Sequence, residues 1–103
     1  MSKEEIKILL VDDEKQFVDT LAERLAMRGF SARVAYDGPQ ALKAVEEPTD
    51  VIVLDLRMPG MDGFEVLRSV KKSNPQVQVI ILTGHGGDAE EQTAYRMGAY
   101  NFL

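Results

Sequence analysis

Three aspartates stand where their side chains could do chemistry. Asp12 and Asp13 form an adjacent pair directly after the apolar run Ile8-Leu9-Leu10-Val11, and Asp55 follows Val51-Ile52-Val53-Leu54. Thr83 follows Val79-Ile80-Ile81-Leu82 in the same way. An aspartate after a strand commonly caps the next helix or opens a turn, and any one of these alone is read that way first. A pair after one run with a third after another points elsewhere. If those runs are neighbouring strands, three carboxylates converge, and like charges a few ångströms apart raise one another's pKa unless a cation cancels them. Carboxylate oxygens with no cysteine and a single unclustered histidine, His85, suit a hard ion. Mg2+ is the natural choice, since it keeps several waters and shares its shell with phosphate. One carboxylate beside such an ion can attack phosphorus to form an aspartyl phosphate. Asp55, after four apolar residues, sits where a charge is costly without a partner.

The elements that must position these groups are legible. Three of the runs, Ile8–Val11, Val51–Leu54 and Val79–Leu82, are continuously apolar, as parallel strands covered on both faces should be. Ala32-Arg33-Val34-Ala35 is half polar and suits an edge strand. Helical spacing fills the gaps. Phe17, Leu21 and Leu25 recur at i, i+4, i+8 before Gly29, and Asp37-Gly38-Pro39 opens a helix through Ala41, Leu42 and Val45. Phe64, Leu67 and Val70 mark a third that ends near Asn74-Pro75, and a fourth, the least apolar, runs from Asp88 to Met97 before Gly98. Met27 and Met97 read as gap-fillers at helix ends, and Met58 and Met61 as members of the loop after Asp55. Tyr100 to Leu103 begin a fifth strand. The alternation predicts an α/β fold with a parallel sheet between helices, whose carboxyl edge collects the residues after each strand.

Composition bounds the rest. The 103 residues suffice for one domain, 1–103, with 45% apolar and 28% charged residues. No run approaches the ~18 apolar residues of a membrane span, and the lack of cysteine fits a cytoplasmic setting. The formal charge of -5 argues against direct nucleic-acid binding by this chain.

The pair Asp12-Asp13, the segment Asp55-Leu56-Arg57-Met58-Pro59-Gly60-Met61-Asp62-Gly63, and Leu82-Thr83-Gly84 closely resemble the bacterial response-regulator receiver domain of two-component signalling, over about Lys7 to Leu103. The resemblance implies a flavodoxin-like, doubly wound, five-stranded parallel sheet of order 2-1-3-4-5. It implies Asp55 as phosphoacceptor, Asp13 as direct Mg2+ ligand, Asp12 acting through a bound water, and the Arg57 backbone carbonyl completing the metal shell. Thr83 takes the place of the hydroxyl that bonds a phosphoryl oxygen, and Phe102 that of the aromatic switch residue. Arg57 and His85 are either solvated surface side chains or, by the resemblance, flank the hydrolytic water and tune phosphoryl lifetime. The implied role is a signalling switch that catalyses only its own phosphorylation and dephosphorylation. The phosphoryl group would come from a sensor histidine kinase, a phosphotransfer protein or a small donor, and an output domain would lie outside this chain.

The family's lysine after strand five would fall two residues beyond Leu103, and its last helix later still. The sequence therefore reads as a receiver truncated at its C-terminus, with the last strand incomplete and the last helix missing, and prone to dimerise. Leu82-Thr83-Gly84-His85-Gly86 and Gly98-Ala99-Tyr100 look like receivers that head AAA+ transcription activators. The alternative is a binding module of the same fold that works without phosphorylation. A Mg2+-dependent phosphatase would need a second carboxylate two residues past the nucleophile, where Arg57 stands, and a nucleotide site would need a Gly-rich loop after the first strand.

Overall fold

The computed structural model describes residues 5–58, 60, 62–82 and 87–103. Strand and helix alternate: β1 (Lys7–Val11), α1 (Lys15–Met27), β2 (Ser31–Ala35), α2 (Gly38–Ala44), β3 (Val51–Leu54), α3 (Gly63–Ser73), β4 (Gln78–Ile81), α4 (Asp88–Arg96) and β5 (Asn101–Phe102). All strand pairs are parallel, as the alternation predicts, and the order is β2-β1-β3-β4-β5, as the family resemblance implies. The half-polar β2 is indeed an edge. β1 lies between β2 and β3 with Val11 level with Ala35 and Leu54, so the residues that follow these strands emerge side by side. β4 begins one residue earlier than its apolar run, yet the Leu82 N–H still donates to the Leu54 carbonyl at 2.9 Å, extending the ladder to the rim.

The two faces of the sheet are unequally covered. Alternate residues Leu9, Val11, Ile52, Leu54, Val79 and Ile81 are fully buried against α2, α3 and α4, in one core with Ala41, Val66, Leu67, Val70 and Ala94. Among the described residues the opposite face meets only α1, in a smaller cluster built on Ile8, Leu10 and Val18. There Val51, Val53 and Ile80 are only half-buried. α1 also turns differently from its apolar spacing. Its packed stripe is Val18, Leu21, Ala22 and Leu25, at i, i+3, i+4 and i+7, which leaves Phe17 at the margin, 47% exposed. Met27 lies nine residues past Val18, half a turn round the helix, and is 85% exposed, so it fills no gap. Met97 does pack against the larger core.

The helix ends follow local chemistry. Asp37 caps α2 by accepting from the Gln40 N–H at 2.8 Å. Asp62 caps α3 by accepting from the Phe64 N–H, while Glu65 reaches back to the Asp62 N–H, a reciprocal box. Gly29 and Gly98 hold positive φ after α1 and α4, where a side chain would be strained. Arg33, on β2, donates to the Ala44 carbonyl at 2.9 Å and the Thr49 hydroxyl at 2.7 Å, a cation on the C-terminal end of α2.

Candidate phosphoacceptor and metal centre

Sheet hydrogen bonds set the three aspartates. The Asp12 N–H donates to the Ala35 carbonyl and the Asp55 N–H to the Val11 carbonyl, so both backbones are extensions of the ladder. Carboxylate oxygens of Asp12, Asp13 and Asp55 all lie within 4.8 Å of one another. Asp12 and Asp55 are half-buried and Asp13 is exposed. The floor beneath is apolar, lined by Val11, Val18, Val53 and Leu82 around a residual cavity of about 10 Å3.

That floor explains the electrostatics. Burial pushes the Asp55 carboxyl above the ordinary range, the charges of Asp13 and Glu14 add to the rise, and the N–H groups of Arg57 and Leu56 oppose it. Burial likewise raises Asp12, helped by Asp55, Asp13 and Glu14, against the Glu14 N–H that donates to its Oδ1 at 2.9 Å. The arrangement is three hard oxygen donors crowded beyond what their own charges favour. This set fits a small oxygen-seeking divalent cation, and it contains no nitrogen or sulfur ligand.

Two of the other sequence candidates, Arg57 and Phe102, lie among the described residues. Arg57 lies two residues past Asp55 with its N–H on Asp55 Oδ1 at 3.2 Å, and its side chain lies 63% exposed, 3.7 Å from Glu90 of α4. Phe102 is half-buried on β5 beside the larger core. Thr83 and His85 lie outside the described residues. Met58 is buried in the larger core, so the loop after Asp55 is anchored from below.

Sequence reading missed two residues. Glu14 adds a fourth negative charge to the site, and its place beside the Asp pair was the available signal. Glu90 was legible only as an acid three residues into a helix, the position of a capping box. Gly63, quoted from the sequence only as the end of the Asp55–Gly63 segment, opens α3 so close to Asp55 that a Cβ there would stand 2.5 Å from the Leu56 Cα and 2.6 Å from the Asp55 carbonyl oxygen. At the rim, Tyr36 donates its hydroxyl to Asp19 at 2.7 Å, which raises the phenol's pKa, and Lys15 lies over its ring.

Comparison with known proteins agrees with this geometry. The model of the response regulator receiver domain matches residues 8–103. The transcriptional regulatory protein CpxR of Escherichia coli is 37% identical over 97 residues, which cover 94% of this chain and 41% of CpxR. A Burkholderia pseudomallei response regulator, solved with a phosphorylated aspartic acid, a calcium ion and citrate, superposes with a TM-score of 0.91 at 29% identity, over 96% of this chain and 59% of that one. NtrX from Brucella abortus, solved with ATP, gives 0.85 at 35% identity, over 94% of this chain and 23% of NtrX. The chain thus spans about two fifths of the length of CpxR. No helix among the described residues is long and apolar enough to cross a membrane. By sequence and by fold, the chain belongs to the response regulator receiver domains of two-component systems.

Proposed function

We infer that Asp55 accepts a phosphoryl group and that Asp12, Asp13, Asp55 and the Arg57 carbonyl hold Mg2+ for the transfer. The observation that carries this reading is the meeting of three carboxylates within 4.8 Å above an apolar floor. Bound there, Mg2+ would neutralise the crowded carboxylates and the incoming phosphoryl oxygens. In the transfer, an Asp55 oxygen attacks phosphorus, the bond from phosphorus to the donor's histidine nitrogen breaks, and that nitrogen leaves with the electron pair. The donor is the phosphohistidine of a sensor kinase or phosphotransfer protein, or a small phosphodonor. Positioning and charge neutralisation dominate such chemistry, so no general acid or base is needed beside Asp55.

Thr83 bonds a phosphoryl oxygen after transfer and Phe102 changes rotamer in response, roles that rest on the family resemblance. Arg57 and His85 tune the lifetime of the phosphoryl group. The switch acts in the cytoplasm on an output domain elsewhere in the protein. Likeness to CpxR supports an output in transcription, and likeness to NtrX, solved in complex with ATP, supports one that binds ATP.

The test is intact mass after incubation with acetyl phosphate and Mg2+. The parent chain gains one phosphoryl group and Asp55→Ala gains none. Equal gain in both would move the acceptor elsewhere, and no gain in either would favour a module that binds partners without phosphorylation.

A further inference from the structure

The carboxylate of Glu90 serves two partners, one per oxygen. Oε1 accepts from the Gly87 N–H at 2.8 Å and so caps α4, while Oε2 pairs with the Arg57 guanidinium at 3.7 Å. Arg57 in turn donates its backbone N–H to Asp55. One residue therefore joins the acceptor loop to the first turn of a helix that is weakly anchored, with Ala94 its only fully buried side chain among the described residues. The same turn carries Asp88 and Glu91, so the pair with Arg57 brings a positive charge to an acidic helix start.

A phosphoryl group on Asp55 changes the competition for that cation. It brings roughly two negative charges and three strong acceptor oxygens, two residues from Arg57. A guanidinium binds phosphate oxygens in the same forked manner as carboxylate, but against a larger charge. Arg57 leaving Glu90 would strip the first turn of α4 of its counter-charge without touching the cap to Gly87. We propose that Glu90 is a positioning residue acting through Arg57. It holds the guanidinium against the start of α4 while Asp55 is unmodified and releases it to the phosphorylated acceptor, so that the first turn of α4 reports the state of Asp55. The inference rests on Asp55 being the acceptor.

Glu90→Gln separates the two duties, because a glutamine carbonyl still accepts from Gly87 while the charge that holds Arg57 is gone. Amide exchange of residues 88–92 is measured with and without acetyl phosphate and Mg2+, and intact mass is read on the same samples. In the parent, phosphorylation speeds exchange about two- to fivefold, the scale of an exposed ion pair. Unmodified Glu90→Gln and Arg57→Ala already exchange at that faster rate, the double variant no faster, and Arg57→Lys restores part of the protection. Phosphorylated Glu90→Gln shows no further change, though its mass gain equals that of the parent. Equal acceleration in parent and Glu90→Gln, or none in a parent that has gained the phosphoryl group, overturns the proposal and leaves the acceptor intact. No mass gain in the parent removes the Asp55 reading and this inference with it.

Discussion

Asp12 and Asp55 are held above the ordinary carboxylate range chiefly because the floor under them is apolar. With folded pKa values above those of the unfolded chain, the folded state binds these protons more readily in the interval between the two. Their contribution to stability is present at low pH and is lost as pH rises from the ordinary aspartate value through the raised ones. In metal-free buffer at neutral pH, Asp12→Asn should therefore stabilise the chain. Allowing for partial exposure, the gain is on the order of 0.5–1 kcal/mol, or roughly 3–6 °C in Tm. The gain should disappear at a pH below the ordinary aspartate value, and a thermal melt at each pH reads it directly. Added Mg2+ should act in the opposite setting, with all carboxylates ionised. At about ten times its Kd it contributes roughly 1.4 kcal/mol, a rise of ~5–10 °C that Asp13→Ala removes. A parent melt indifferent to Mg2+ would leave the carboxylates without their ion. The three aspartates were legible because adjacency and strand ends are properties of the string. The charge of Glu14 on both raised carboxyls, and the grip of Glu90 on Arg57, required knowing how side chains meet in space.

At the scale of elements, punctuation was the reliable signal. Asp37-Gly38-Pro39 opens α2, and Gly29 and Gly98 follow helix ends, as read from the residues. What misled was phase. Phe17 shares an i, i+4, i+8 row with Leu21 and Leu25, but Val18 sets the buried side, and a short helix tolerates either choice until it meets a sheet. Arg33 shows another limit, since a charged residue in β2 reads as mere exposure although it ties α2 to the loop before β3. Arg33→Ala should cost about 1–2 kcal/mol, measured by urea unfolding, while Arg24→Ala on the exposed side of α1 stays within about 0.5 kcal/mol. Gly63 bears a close approach of α3 to the acceptor segment. Gly63→Ala should cost roughly 1–3 kcal/mol by overpacking and slow phosphoryl uptake on Asp55, whose own backbone must give way.

The whole molecule divides stability unevenly between the two sides of its sheet. Ile52, fully buried under three helices, and Val53, half-buried on the side of α1, are chain neighbours on opposite faces. Ile52→Ala should cost about 2–5 kcal/mol, enough to unfold much of a small domain, and Val53→Ala well under half of that. Comparable losses in urea titrations of the two variants would show the faces to be equivalent. The parallel sheet and its order were expected from alternation and from family likeness. The inequality of the faces was expected from family likeness too, since the family's last helix packs beside α1 on the thinner side.

The contact of Gly63 with the acceptor segment has a mechanical consequence. Where α3 begins, its backbone lies hard against Leu56 and Asp55, and the Gly63 N–H is bonded to the Leu56 carbonyl at 2.9 Å. A load applied at Asp55 meets a stiff wall on that side, and dense interiors transmit strain with little yielding. Toward α4 the only tie described from this loop is a solvent-facing ion pair, a compliant spring. A displacement at Asp55 should follow the softer path, toward α4.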